Sequence, residues 1–545
     1  KLELVTSFVF HGRGVIAATA PDIWLLEDTD GDDVADRRTK LYTGLGINDT
    51  HAVINNLRRG RDGWIYATHG YSRGEVTSAD GTKKFPGIGS GVVRFRPDGS
   101  AFEQYSSRNG NTWGLDLTWD GQVFWTQPTS GTVFFHTVLP EAVLARGKVP
   151  GTTSWNGMIV NQRTFPALSW PEQAYVQIDQ VGRFTAAAGT AIYDGGAWPE
   201  KWRYSYFTTE PTLNIVHHQF VRPNGVTYTV TKEPGREETE FIRSTDLWFR
   251  PIENRVGPDG ALYLVDFYNQ AVIHNDTRGP LHGPANAAVR PDRDHHFARI
   301  WRVQHKQAVP LPAASLERRD LAGLLRTIAT HPNAHVRNTA LRLAQESHPQ
   351  APELAAFSAP MGSPALARYH EARAAGSAPA RATVLSAYVA ASDDWTRSAL
   401  IAGASDHAAD FLADALRRPE QDALETFVTG LAVNVAADAV PGLVRAAAAT
   451  PNALGAALLR TLFERPEAPP TFDAATTAAL QLLVAAPETG APALLLAART
   501  GGGVLTDAMN DAVARLLADY AQPNTTASRR AEIVRSLLAL PAHRS

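Results

Sequence analysis

Short apolar runs separated by Gly, Asp and Pro fill the first 305 residues, and beyond them apolar residues recur at helical spacing. Val15 to Glu27, VIAATAPDIWLLE, reads as two strands broken at Pro21-Asp22. GRDGWIYATHG (Gly60 to Gly70) is a tight turn at Asp62-Gly63 followed by a strand. The same unit returns as WDGQVFWTQ (Trp119 to Gln127) and GPDGALYLVD (Gly257 to Asp266), and more loosely as RPDGSAFEQY (Arg96 to Tyr105). A turn-plus-strand unit reused within one domain predicts a β-propeller, and about 45 to 50 residues per blade predicts about six blades.

After this region the pattern changes. Leu316 to Glu346 predicts two helices joined at His331-Pro332-Asn333. Leu321, Leu324, Leu325 and Ile328 form one apolar stripe; Val336, Ala340, Leu341 and Leu343 form the other. Thr396 to Ala404 echoes the second helix, and about 40 residues per pair leaves room for about six helical repeats. The fold class expected is therefore β followed by α: a propeller over 1–305, a proline-containing linker over 306–316, and a HEAT-like solenoid over 317–545. Limited proteolysis is expected to cut at the linker.

Composition narrows the function classes. The 545-residue chain carries a net charge of -3, which gives no electrostatic basis for binding nucleic acid. No apolar run is long enough to span a membrane. The absence of cysteine excludes disulfides, thiolate metal sites and covalently attached c-type haem within these residues. Lys1 in place of an initiating Met suggests a processed or partial chain.

Two stretches carry candidate chemistry. Asp28, Asp30, Asp32 and Asp36 occupy positions 1, 3, 5 and 9 of an EF-hand-like loop, a pattern that suits Ca2+. Position 6 is Asp33 instead of Gly and position 12 is Thr39 instead of Glu, so a solvated acidic turn is the competing reading. His51, beside Asp49 and just ahead of a strand, is the candidate base, with a turn or packing histidine as its alternative. A second polar set, Arg250, Asp266, Tyr268, His274, Asp292, Arg293, His295, His296 and Arg299, reads as salt bridging between blades more than as metal ligation. Arg183 and Arg250 are candidates to hold an anionic cofactor or sugar acid, because guanidinium pairs carboxylates bidentately. The sequons at Asn48 and Asn524 read as chance occurrences.

IWLLEDTDGDDVADRRT, NNLRRGRDGWIYATHG, GRFTAAAGTAIYDGG, STDLWFRPIENRVGPDGALYLVDFYN and RDHHFARIWRV together span most of residues 20 to 304. They resemble the bacterial membrane-bound dehydrogenases also called heme-binding proteins of the Planctomycetes–Verrucomicrobia type. The resemblance implies a six-bladed propeller like that of quinoprotein sugar dehydrogenases, followed by HEAT repeats and often a cytochrome c domain. Against that pattern this chain starts after the first blade and lacks the haem motif. The resemblance further implies that His51 removes a hydroxyl proton from a sugar or polyol, and that pyrroloquinoline quinone is held near Asn111. Gly110 stands where the family's quinone-binding Arg would be, and Arg108 reaches that place only after a two-residue shift. Cytochrome c or another electron carrier, a protein partner on the helical repeats, and a periplasmic or extracellular location complete the implied picture. His69 and His274 are the next bases in line. The alternative is a propeller–HEAT binding or structural subunit without catalysis.

Overall fold

The computed structural model describes the chain except residues 1, 3, 50, 108–109, 130, 170–181, 270–271, 273–295, 314, 317–318, 359–361, 419–420, 468–469, 501–505, 539 and 541–545. Its strands form five antiparallel sheets. The first holds β1 (Ser7–His11), β2 (Gly14–Thr19), β3 (Asp22–Glu27), β4 (Arg37–Thr43) and, at its outer edge, the short β7 (Thr77–Ser78). The second is built from β5 (Ile54–Arg59), β6 (Ile65–His69), β8 (Gly91–Phe95) and β9 (Phe102–Ser107). The third comprises β10 (Leu115–Leu117), β11 (Val123–Thr126), β12 (Thr132–Thr137) and β13 (Trp155–Val160). In the fourth, β14 (Thr190–Tyr193), β15 (Ser205–Glu210), β16 (Ile215–Asn224) and β17 (Thr227–Thr231) are joined by β18 (Ile242–Arg243), paired to β16. The fifth holds β19 (Pro251–Val256), β20 (Leu262–Asp266) and β21 (Arg299–Val303).

Inner strands β1, β5, β10, β14 and β19 pack side by side in that order, which makes each sheet a propeller blade. Apolar clusters fill the spaces between successive blades. Ile16, Ile23 and Tyr42 meet Leu57, Ile65 and Phe95 between the first two blades. Tyr66 and Tyr105 meet Leu115 and Trp125 at the next interface. Phe124 and Phe134 meet Ile192 and Tyr206, and Tyr193 and Phe207 meet Leu262 and Leu264, at the two that follow. Five blades are described instead of about six; the second, from Ile54 to Ser107, and the fourth, from Thr190 to Arg243, each take a longer stretch than the repeat spacing implied. The predicted DG turns are present, with Gly63 (φ 76°), Gly121 (φ 81°) and Gly260 (φ 71°) all in the left-handed region that a side chain disfavours.

The compact units divide at Ser363–Pro364, beyond the linker read from composition. Residues 1–141 and 154–363 form one unit; residues 142–153 and 364–545 form the other. A four-residue helix α1 (Glu141–Leu144) lies at the edge of that excursion. Within the expected linker, residues 308–311 pack on the blades: the Val309 amide donates to the Ala197 carbonyl at 2.8 Å, and Ala308 and Leu311 lie against the cluster of Tyr193 and Leu264. Helices α2 (Leu321–Thr330) and α3 (Ala334–Ser347) follow, capped by Asp320 and Asn333 as their sequences direct. Their predicted stripes meet, Leu324 and Ile328 against Ala340 and Leu341.

The position of α3 organises the first unit. Asn333 Nδ2 donates to the Gly257 carbonyl at 2.8 Å, and the Ala334 amide donates to the Asp194 carbonyl at 3.0 Å. The Arg337 guanidinium lies over the Trp119 ring at 4.6 Å. Gln345 Nε2 donates to the Arg61 carbonyl at 2.9 Å, and Glu346 pairs with Arg59 at 3.2 Å and His11 at 3.6 Å. One helix thus touches the turn after the inner strand of every blade. A short helix α4 (Ala355–Ser358) ends this unit.

The second unit is helical. It contains α5 (Pro364–Arg373), α6 (Ala378–Ala390), α7 (Asp394–Ala404), α8 (Ala408–Ala415), α9 (Gln421–Ala432), α10 (Val440–Ala449), α11 (Ala453–Glu464), α12 (Ala474–Ala485), α13 (Gly490–Arg499), α14 (Thr506–Ala521) and α15 (Ala527–Leu538). They share one apolar cluster running from Ala372 to Leu540. Residues 142–153 join this unit through Val149, whose amide donates to Ser398 Oγ at 3.0 Å, and through the Arg146–Asp406 pair. Among the described residues no helix is long and apolar enough to cross a membrane.

Candidate functional site

With the turns after the inner strands facing α3, residues that lead into those strands lie at the opposite end of the blades, the mouth. His51 leads into β5 there. Asp49 Oδ1 accepts the His51 amide at 2.8 Å and lies 3.6 Å from His51 Nδ1. The Tyr71 hydroxyl donates to the other oxygen of the same carboxylate. From the neighbouring blade, Asn111 Nδ2 donates to the His51 carbonyl at 2.8 Å. This approach depends on Gly70: a Cβ there would sit 2.3 Å from Asn111 Oδ1 and 2.4 Å from Ala52 Cα. The His51 side chain is 39% exposed while Asp49 is 15% exposed, so the carboxylate is sheltered and the imidazole is reachable. A carboxylate on the Nδ1 side favours the tautomer with the proton on Nδ1 and the basic lone pair on Nε2.

His69, at the end of β6, is different. It is fully buried, Nδ1 faces the Gly89 carbonyl at 3.2 Å, and Nε2 has no hydrogen-bond partner. Burial pulls its pKa down to about 4, so it is a neutral packing group and no reachable base.

The residues read as cofactor holders are brought to the mouth but are already engaged. Asn111 supports the His51 loop. Arg183 Nη1 donates to Asn161 Oδ1 at 3.1 Å. Arg250 is fully buried; its Nη1 donates to the Pro211 and Thr212 carbonyls at 2.9 and 3.3 Å and its Nε to the Asn269 carbonyl at 3.1 Å. Nearby, Glu210 accepts amides from Thr185, Ala186 and Thr212 at 2.9, 2.7 and 3.0 Å, and burial raises its pKa to about 7. A carboxyl whose folded pKa is raised supplies stability below its unfolded value, which is lost as pH rises through the folded one. Glu210→Gln is therefore expected to remove a decline in melting temperature between about pH 4.5 and 7 that the parent protein shows relative to the variant. Parallel calorimetric scans at pH 5 and pH 8 check this; a constant difference between the two proteins refutes it.

At the other end of the first blade, the acidic loop between β3 and β4 brings one oxygen each of Asp28, Asp30 and Asp36 within 4.8 Å of one another. Asp32 is not in the group, because its Oδ1 accepts the Val34 amide at 2.8 Å. Asp33, where an EF-hand has Gly, takes the left-handed conformation itself (φ 64°). Asp28 accepts the Gly31 and Asp33 amides at 2.6 and 3.0 Å, and its pKa is held low chiefly by the Gly31 N–H.

In the second polar set, Asp266 accepts the Arg250 and Tyr268 amides and the Trp301 indole at 2.8, 2.9 and 2.9 Å. Arg299 covers the Tyr268 ring at 3.3 Å and stands 3.8 Å from Asp246. His296 is described and engaged. Arg108, His274, Asp292, Arg293 and His295 lie outside the described residues.

Two buried ionic groups had no signal in sequence spacing. Arg58, on inner strand β5, stands 4.0 Å from Asp116 on β10 and 3.8 Å from Glu253 on β19, and burial pulls its pKa down to about 9. His217, Glu240 and Lys232 meet within the fourth blade at 2.7 and 3.2 Å. Their partners come from different strands and blades, so only the fold brings them together.

No curated protein matches the sequence. Solved structures with a similar chain path include an oxidoreductase described as glucose dehydrogenase from Thermus thermophilus, 16% identical over 56% of this chain and 97% of that one, with a TM-score of 0.26. Another is the PQQ-bound aldose sugar dehydrogenase of Streptomyces coelicolor, 12% identical over 51% of this chain and 92% of that one, TM-score 0.24. A protein described as a gluconolactonase is 13% identical over 49% and 72%, TM-score 0.28. These likenesses carry no statement about activity. One family model matches residues 1–307, more than half of the chain, and the protein belongs to that family, described as Domain of unknown function (DUF7133).

Proposed function

We propose that the propeller binds a sugar or other polyol at its mouth and that His51 is the general base in oxidation of an alcohol. The observation that supports this most is the sheltered Asp49 carboxylate beside a reachable imidazole, both fixed by Asn111 and Tyr71 from other strands. His51 Nε2 would take the hydroxyl proton, and hydride from the same carbon would leave to a two-electron acceptor. A quinone bearing several carboxylates fits these residues poorly. Arg250 is spent on carbonyls, Arg183 on Asn161, and Asn111 on the His51 carbonyl. No step is therefore assigned to such a group. The test is dye-linked oxidation of a panel of aldoses and polyols, with and without added quinone. Turnover on any of them supports the reading; no turnover under either condition overturns it.

A second reading, a non-catalytic binding or structural subunit, is favoured by that same engagement of all three proposed cofactor holders. A quinone in the absorption spectrum of protein from its source would count against this second reading. A bound quinone absorbs in the near ultraviolet and visible.

Calcium at Asp28, Asp30 and Asp36 is part of the same proposal. Three converging exposed carboxylates are eased by a hard cation, and binding would raise the melting temperature by mass action. Saturating calcium is expected to raise it by a few degrees and Asp30→Ala to abolish the response. An identical melting curve in chelator and in millimolar calcium would count against the site.

A further inference from the structure

A cavity of about 410 Å³ opens where the outer parts of the fourth and fifth blades meet, on the α3 side of the propeller. Trp198 and Trp202, from the loop between β14 and β15, form its walls with Phe241, just ahead of β18, and Val303, the last residue of β21. The rings stand close together. Trp202 lies 5.6 Å from Trp198 and 5.9 Å from Phe241, centre to centre, and Trp198 is itself stacked on Tyr193 at 4.3 Å. Most polar side chains beside the cavity are engaged with the protein. Gln304 Oε1 accepts the Trp198 indole and the His305 amide, and His305 Nδ1 accepts the Gln307 amide at 3.0 Å. Two polar groups are left over. Lys306 is exposed at the opening and, among the described residues, has no hydrogen-bond or ion-pair partner. Trp202 is 8% exposed, and its indole N–H has no acceptor.

We propose that this cavity binds a small carboxylic acid with a flat apolar body, an aromatic acid being the best fit. Its volume is that of a small-molecule site, and its walls are aromatic and aliphatic. A sugar fits poorly, because its hydroxyls need several free partners and the side chains here offer few. A plain hydrocarbon would leave the Trp202 N–H and the Lys306 ammonium unanswered. A carboxylate pairs with Lys306 at the opening, and its oxygens are acceptors of the kind that Trp202 lacks. Aromatic walls also suit a quaternary ammonium. Charge decides against that ligand: Lys306 puts a positive group at the opening, and Lys201 Nζ already lies over the Trp202 ring at 5.4 Å. The cavity shares no residue with the His51 site, so its occupancy is independent of alcohol oxidation.

The test titrates the full chain calorimetrically with 2-naphthoate and, for contrast, with 2-naphthyltrimethylammonium. The naphthoate is expected to bind once per chain and several-fold more tightly than the ammonium. Lys306→Glu, an exposed change that leaves the walls intact, is expected to reverse that order. The absence of cysteine allows the site to be located. Gln307→Cys places a single thiol beside the cavity, and the amide that bonds His305 is kept. Ala382→Cys places one on the exposed side of α6 as a control. Naphthoate is expected to slow alkylation by iodoacetamide several-fold at position 307 and to leave position 382 unchanged. No binding of naphthoate at millimolar concentration overturns the proposal, and so does protection no greater at 307 than at 382. Equal or tighter binding of the ammonium to the parent protein, or an order that Lys306→Glu leaves unchanged, overturns it as well.

Discussion

With His51 as the proposed base, His51→Asn is expected to lower alcohol oxidation by about 10² to 10⁴-fold while leaving the melting temperature within a few degrees of the parent protein. The fall would be large because proton removal would accompany hydride loss, and an amide has no basic nitrogen to accept that proton. The fold survives because the contacts that hold this loop are made by the His51 backbone: its amide bonds Asp49 and its carbonyl bonds Asn111. Asp49→Asn is expected to produce a smaller fall and to shift the pH–rate profile, since on this reading the carboxylate would act through the imidazole. Full activity in His51→Asn would remove His51 from the reaction. His69 is sealed and uncharged, so it offers no substitute.

Arg250→Ala costs about 3 to 5 kcal/mol of stability. Arg250 ranks among the largest fully buried side chains, and its guanidinium satisfies the carbonyls of Pro211, Thr212 and Asn269. Truncation leaves those carbonyls without a donor in a place water does not reach. It also opens a cavity between the fourth and fifth blades. Arg250→Lys keeps a charge but loses the planar fork, and an intermediate loss is expected. Urea unfolding followed by circular dichroism measures both. A change under about 1 kcal/mol for the alanine variant would show that the carbonyls find other donors.

The repeated DG turns made the propeller legible, because Asp–Gly dictates the local backbone whatever surrounds it. The helical stripes of α2 and α3 were legible for the same local reason. The domain boundary was not. A composition change at residue 305 records where strands end, whereas a compact unit ends where packing does, and α2 and α3 pack on blade turns. In the candidate site His51 and Asp49 could be found because they are two residues apart. Tyr71, just after β6, and Asn111, ahead of β10, complete the group, and nothing in spacing announces them. Arg250 was read for its charge, and burial shows a further use: a guanidinium closed in by carbonyls positions backbone. Asp32 fell out of the acidic group because a carboxylate two residues before an amide readily turns back onto it.

Helix α3 has a consequence for how the propeller comes apart. Among the described residues no strand of the fifth blade packs on the first as neighbouring blades pack on each other. A single 14-residue helix, with its cap Asn333 bonded to the fifth blade and Glu346 beside His11 of the first, links these two blades across their turns. Amide hydrogen exchange should register this tether: protection in β1 and in β19 should be lost together once α3 is loosened, while β10, held between neighbours on both sides, stays protected.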